Sequence, residues 1–148
     1  MITKIYFILI VLFPASAFAQ SIAQYDSTAL SIIHEDCEDK IFSKVEILPS
    51  LKKGITNFED TLTYYLKSAN AFKNGTHITY KFLVTTSAHI FYIEKEDGDF
   101  QYDPVIKKFL VSHSFMWKTA IQNGRKVCAF VRLEIEISND QLQATVKQ

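Results

Sequence analysis

The stretch WKTAIQNGRKVCAFVRLEIEI, Trp117 to Ile137, decides the fold. Asn123-Gly124 is a two-residue turn signal, and it leads directly into a run that alternates with period two. Val127, Ala129, Val131, Leu133, Ile135 and Ile137 fall on one side, while Phe130, Arg132, Glu134 and Glu136 fall on the other, the pattern of a half-buried strand. The apolar side must meet a core, so the chain specifies a folded α+β domain. Trp117 stands where a helix passes into this strand, and a large aromatic there is expected to be buried between that helix and the sheet.

Upstream, Ile78, Tyr80, Phe82 and Val84 alternate with polar residues after the Asn74-Gly75 turn signal, and the short TTSA connection leads into HIFYIEKE. Two β-rich runs so closely spaced predict an antiparallel hairpin that breaks at EDGD. Before it, Thr56 and Glu59 form a T-x-x-E capping box, and Phe58, Leu62, Tyr65 and Ala69 recur on one helical face. A second helix is signalled by Asp103 as N-cap, Pro104 at the first position, and Ile106, Phe109, Leu110 and His113 at helical spacing, running to about Met116. Val45 and Ile47 suggest a short extended entry that ends at Pro49. Residues 20–43 read as a loosely ordered lead-in, and 44–148 as one domain.

The first residues, MITKIYFILIVLFPASAFAQ, set one early lysine before an apolar run from Ile5 to Phe13 and a small-residue site, Ala17-Phe18-Ala19. This is the pattern of a secretory signal peptide over 1–19, with the mature chain starting at Gln20. The apolar run is too short for a comfortable bilayer span, so no stable membrane anchor is expected after cleavage, and the protein is placed in the periplasm or outside the cell. The alternative keeps this segment uncleaved, as the anchor of a transducer-like membrane protein.

Export makes a disulfide between Cys37 and Cys128 chemically accessible; the other reading is two unrelated thiols. The 148-residue chain is 48% hydrophobic, enough for one ordinary core. Its 16 basic residues balance 16 acidic ones, and the basic residues are scattered along the sequence, which argues against nucleic acid as a partner. His34, His77, His89, His113 and Cys128 are the candidates for catalysis, but they show neither metal-ligand spacing nor a nucleophile-base signature. His113 lies on a helix stripe, where a core or boundary role is the commoner one. With only four glycines there is no phosphate loop, so neither cofactor nor metal is expected.

The segment from Lys44 to Ile137 resembles the C-terminal domain of TonB in the form common in Bacteroidota. The matching pieces are the FSKVEILPSL entry, a helix ending in Tyr65-Leu66, the ITYKFLV strand, and Trp117 followed by QNGRKV and the last strand. The resemblance implies two helices packed on one face of a small three-stranded antiparallel sheet, and capture of an outer-membrane transporter's peptide by strand pairing. This chain departs from the family in lacking its Tyr-Pro dipeptide before the first hairpin strand and its proline-rich spacer, and in carrying Ala88 at the usual hairpin glycine. The reading is therefore an exported, non-enzymatic protein-binding module, which pairs a protein segment or a second copy of itself along an open edge at Val131, Arg132, Leu133 and Glu134. A transducer component and a small exported enzyme are the alternatives.

Overall fold

The computed structural model describes residues 36–37, 40–98 and 100–147. The expected signal segment, the start at Gln20, His34 and most of the lead-in lie outside the described residues. The elements run β1 (Ile41–Phe42), β2 (Ser50–Leu51), α1 (Gly54–Ser68), β3 (Thr76–Val84), β4 (Ile90–Gly98), α2 (Asp103–Ser112), β5 (Trp117–Lys118), β6 (Ala120–Gln122), β7 (Arg125–Ser138) and β8 (Gln141–Lys147). The α+β class and the two helices are as expected, but the small three-stranded antiparallel sheet is not what forms. A six-stranded mixed sheet takes its place, joined by a separate two-stranded pair, β2 with β5.

The sheet grows around β7. It is 14 residues long, and its stretch from Ala129 to Ile137 pairs with β3 along one edge, Thr76 opposite Ile137 through Val84 opposite Ala129. Along the other edge lie three segments in turn: β6 against Arg125 to Val127, β1 in parallel against Cys128 and Ala129, and β8 against Arg132 to Ser138. β8 went unread because its turn is Asn139-Asp140, two non-glycine residues at φ 51° and 59°, the left-handed pair that a tight hairpin requires. β1, β2 and β5 are two residues each, too short for any periodicity to reveal.

Alternation along β7 and β3 gives the sheet a helix-covered face and an open face. Ile78, Tyr80, Phe82, Val84, Val131, Leu133, Ile135 and Ile137 are buried beneath the helices with Phe58, Leu62, Ile106, Phe109 and Leu110. On α1 the buried stripe is Phe58, Leu62 and Leu66; the expected Ala69 is instead the exposed C-cap. The helix begins at Gly54, so Thr56 lies inside it, no side chain caps it, and the capping box does not form. α2 begins at Asp103 itself and ends at Ser112, where a 3-10 turn carries the chain to Met116. Trp117 is fully buried, its ring edge-on to Phe58 of α1 at 6.1 Å and to Phe82 of β3 at 5.2 Å. The helix that meets Trp117 through an aromatic contact is thus the first, not the second.

The hairpin breaks within EDGD as expected, β4 running two residues past HIFYIEKE to end at Gly98. Gly98 has φ +104° and approaches β3 so closely that an added Cβ would lie 2.0 Å from the His77 carbonyl oxygen, a place only glycine fits. Two register shifts against β3 give β4 extra residues, one of them at Tyr92, whose φ is +50°. Bulges of this kind twist an edge strand away from chance partners.

Candidate functional site

The four residues expected to present an open edge do not do so. Val131 and Leu133 are core residues, 1% and 0% exposed. Arg132 and Glu134 stand on the open face, but their main chain lies between β3, opposite Lys81 and Thr79, and β8, opposite Lys147 and Thr145. Their side chains are engaged as well. Arg132 reaches across β3 to Glu96, with Nε 2.6 Å and Nη2 3.0 Å from the two carboxylate oxygens. Glu134 accepts from the Lys147 ammonium and lies 3.0 Å from His77 Nε2. The Arg132 hydrogen bond holds the Glu96 carboxyl below its ordinary range, and the Lys147 and His77 hydrogen bonds do the same for Glu134. The outer strands of the sheet are β4, which is bulged, and, on the far side of β7, β6, β1 and β8, along the last of which the Glu59 carboxylate of α1 lies.

What the fold gathers is at the other end of the sheet, around the turn between β3 and β4. Cys37 is disulfide-bonded to Cys128 across 91 residues of chain, with Cα atoms 5.5 Å apart. The bond lies in a second apolar cluster on the open face, with Leu83 buried and Phe91 and Phe130 packed against it. Next to it, Asp36 clamps the turn: its carboxylate accepts from Thr85 Oγ1 at 2.6 Å and Ser87 Oγ at 2.8 Å, and its carbonyl accepts from Thr86 Oγ1 at 2.7 Å. His89 Nδ1 lies 3.4 Å from the same carboxylate. Burial works to raise the Asp36 pKa, but the Thr85, Ser87 and His89 hydrogen bonds and the His89 charge together bring it below the usual value. The turn is further shaped by Ala88 at φ +64°, the conformation that a glycine at this position would adopt without strain.

Asp, His and Ser meet here, but not as a catalytic relay. Ser87 donates directly to Asp36, so its proton is committed to the carboxylate and not aimed at His89, as nucleophile activation would require. The other catalytic candidates are dispersed: His77 joins the open-face ion pairs, His113 stacks on Phe109 with ring centroids 4.2 Å apart, and Cys128 carries no free thiol. Among the described residues no cluster of three or more His, Cys, Asp or Glu could hold a metal ion, and no helix is long and apolar enough to cross a membrane.

Two adjoining hollows flank the clamp and share Thr86 and Lys126. One, of about 910 Å³, is lined by Lys40, Arg125, Lys126 and Gln122 beside the disulfide. The other, of about 420 Å³, has Ile47, Ile121 and Ala88 in its walls and Lys52, Lys118 and Lys126 around it. Asn123, beside the larger hollow, and Gly124 form the β6–β7 turn, both at positive φ, and Glu46 fixes it by accepting the Asn123 N–H at 3.1 Å. Sequence reading found the turn but not the hollows, because the five cations come from positions 40, 52, 118, 125 and 126 and show no run or period. The one signal present, the Arg125/Lys126 pair following the turn, is too common to single out.

No protein-family model, curated protein or solved structure matches this chain.

Proposed function

We propose that this chain is an exported, non-enzymatic binding module that takes a segment of another protein in the double groove beside the β3–β4 turn. The single observation that carries this reading is a segregation of charge. In a chain with 16 basic and 16 acidic residues, five cations gather around one concavity, and none has an ion-pair partner among the described residues. Among the described residues, the carboxylates at the site are already occupied, Asp36 by the turn hydroxyls and Glu46 by the β6–β7 turn. Leaving cations unpaired around a concave surface steers an oppositely charged partner toward it. The groove is also held in shape before anything binds, by the disulfide and the Asp36 clamp, which lowers the ordering cost of association.

Export is part of the proposal. It is supported by the signal-like N-terminal sequence and by a disulfide that an oxidising compartment would preserve. The test is selection of peptides from a random display library against the oxidised chain, with the binding site mapped by amide shift perturbation. Shifts at Thr86, Lys118 and Lys126 are expected. Shifts confined to the β4 or β8 edge would replace this reading with strand addition, and a library that yields no binder would remove it.

A further inference from the structure

Resting on the reading of this groove as the binding surface, we infer that its occupant is an acidic peptide segment carrying one apolar anchor side chain. The two hollows differ in a way that specifies both parts. The smaller has an apolar wall formed by Ile121 and Ile47, and Ile47 is left 57% exposed although it is held by a two-way backbone bridge to Ile121 at 3.1 and 3.0 Å. An aliphatic side chain fixed in that position and left open to water offers a seat for another apolar group. Its volume of about 420 Å³ lies within the range of pockets that bury a small ligand, ample for one Leu-sized or Phe-sized anchor and the backbone on either side.

Lys52, Lys118 and Lys126 stand around that seat, and Lys40 and Arg125 extend the positive charge into the larger hollow toward the disulfide. Four of the five cations are lysines, point charges on flexible stems, which suit carboxylates spaced along a peptide better than one planar or phosphorylated group held in a fork. Among the described residues no glycine lines either hollow, so neither offers the glycine-rich nest of main-chain N–H groups that cradles phosphate. The combination of an apolar seat and spaced cations fits an extended peptide in which acidic residues flank one large apolar residue.

The experiment uses the full oxidised chain and a synthetic ten-residue peptide of aspartates around a central leucine. Binding is read by calorimetry, with the anisotropy of a fluorescein-labelled copy of the peptide in parallel. Saturable binding is expected, weakened at least tenfold by Lys118→Glu with Lys126→Glu, by raised salt, and by replacing the leucine with aspartate. Both lysines are exposed, and unchanged circular dichroism confirms that the variant folds. Equal binding by the double variant, equal binding of a lysine version of the peptide, or lysine-dependent binding to phosphatidylglycerol vesicles in preference to the peptide overturns the inference. So does binding that appears only after Glu35→Gln, Glu38→Gln and Asp39→Asn, since the chain's own acidic residues would then be the occupant. Library peptides that map to Lys118 and Lys126 without being acidic would sink this inference and leave the groove reading standing; peptides that map to a sheet edge would sink both.

Discussion

Glu59 of α1 accepts the main-chain N–H of Ala144 in β8 at 2.7 Å, a side chain closing the open edge of a sheet. Ala144 lies opposite Ile135, and because its N–H goes to Glu59 it points away from β7. The contact therefore covers a donor that would otherwise offer itself to another strand. Glu59→Ala is expected to destabilise the fold by roughly 1 to 3 kcal/mol, the cost of stripping a partly buried donor of a charged acceptor. It should also promote concentration-dependent self-association, visible by sedimentation. A variant as stable and as monomeric as the parent would show that the contact protects nothing.

The Cys37–Cys128 bond closes a long loop, its ends 91 residues apart, and it fastens the segment carrying Asp36 to the open face. In the chain-entropy model a loop of this length contributes about 4 kcal/mol, with native strain subtracting from it. Cys37→Ser with Cys128→Ser should lower the denaturant midpoint accordingly, with little change of the helical signal, because the main core lies on the other face. Equal midpoints for the oxidised chain and the variant would mean that the loop ends stay together without the bond.

Acid should weaken the fold, and the sign follows from depressed carboxylates. For Asp36, burial opposes ionisation, but the hydroxyls of Thr85 and Ser87 and the His89 ring outweigh it and bring the group below its ordinary 3.8. Glu96, hydrogen-bonded by Arg132, is likewise brought below 4.5. A group that binds protons more weakly when folded contributes its stability above the unfolded value and loses it as pH falls through the folded one. Thermal midpoints should thus hold steady at neutral pH and fall on acidification from about 4.5 downward. Asp36→Asn should begin lower at neutral pH and fall less steeply. Parallel curves for the two proteins would remove Asp36 from the account.

Tyr80 presents the opposite case. Its ring is fully buried, and among the described residues neither its hydroxyl nor Oδ1 of the neighbouring Asp103 reaches a hydrogen-bond partner. Burial first, and the Asp103 carboxylate second, raise its pKa far above the usual tyrosine value. Deleting a buried hydroxyl without a partner costs little. Tyr80→Phe should change stability by less than about 1 kcal/mol in either direction, whereas a loss above about 2 kcal/mol would mean the hydroxyl is bonded in solution.

Period and turn chemistry carried much of this fold in plain sight. The alternation from Val127 to Ile137, the Asn123-Gly124 turn, the Phe58 and Leu62 stripe and the β3 run are local signals, and each appears where it was expected. What escaped depends on distant partners. β1 is a strand only because Ile41 and Phe42 lie against Cys128 and Ala129, and Glu59 left its expected capping role because Ala144 offers it a donor from 85 residues away. β8 hid behind polar Gln141, Gln143 and Thr145, which cover its solvent side and dilute the apolar signal of Leu142 and Ala144. The candidate site was less legible still, since its cations converge only after β6, β7 and the β3–β4 turn have been brought together.

Proline separates an interior strand from an edge, and here it tests the placement of β7. Because Ala144 turns its N–H outward, the alternation of an antiparallel ladder directs the N–H of Thr145 toward Glu134 and that of Glu134 back toward Thr145, while the N–H of Val146, two residues beyond Ala144, points outward like that of Ala144. Glu134→Pro would remove a ladder donor from the middle of a strand paired on both sides, and proline is tolerated in sheets only at edges, strand starts and bulges. That variant should fail to show a cooperative unfolding transition. Val146→Pro sits on the outer strand with its missing donor toward solvent, so it should retain the transition with a lower midpoint. A folded Glu134→Pro variant would place Glu134 on an edge after all, and with it the strand-pairing surface that β8 occupies in this fold.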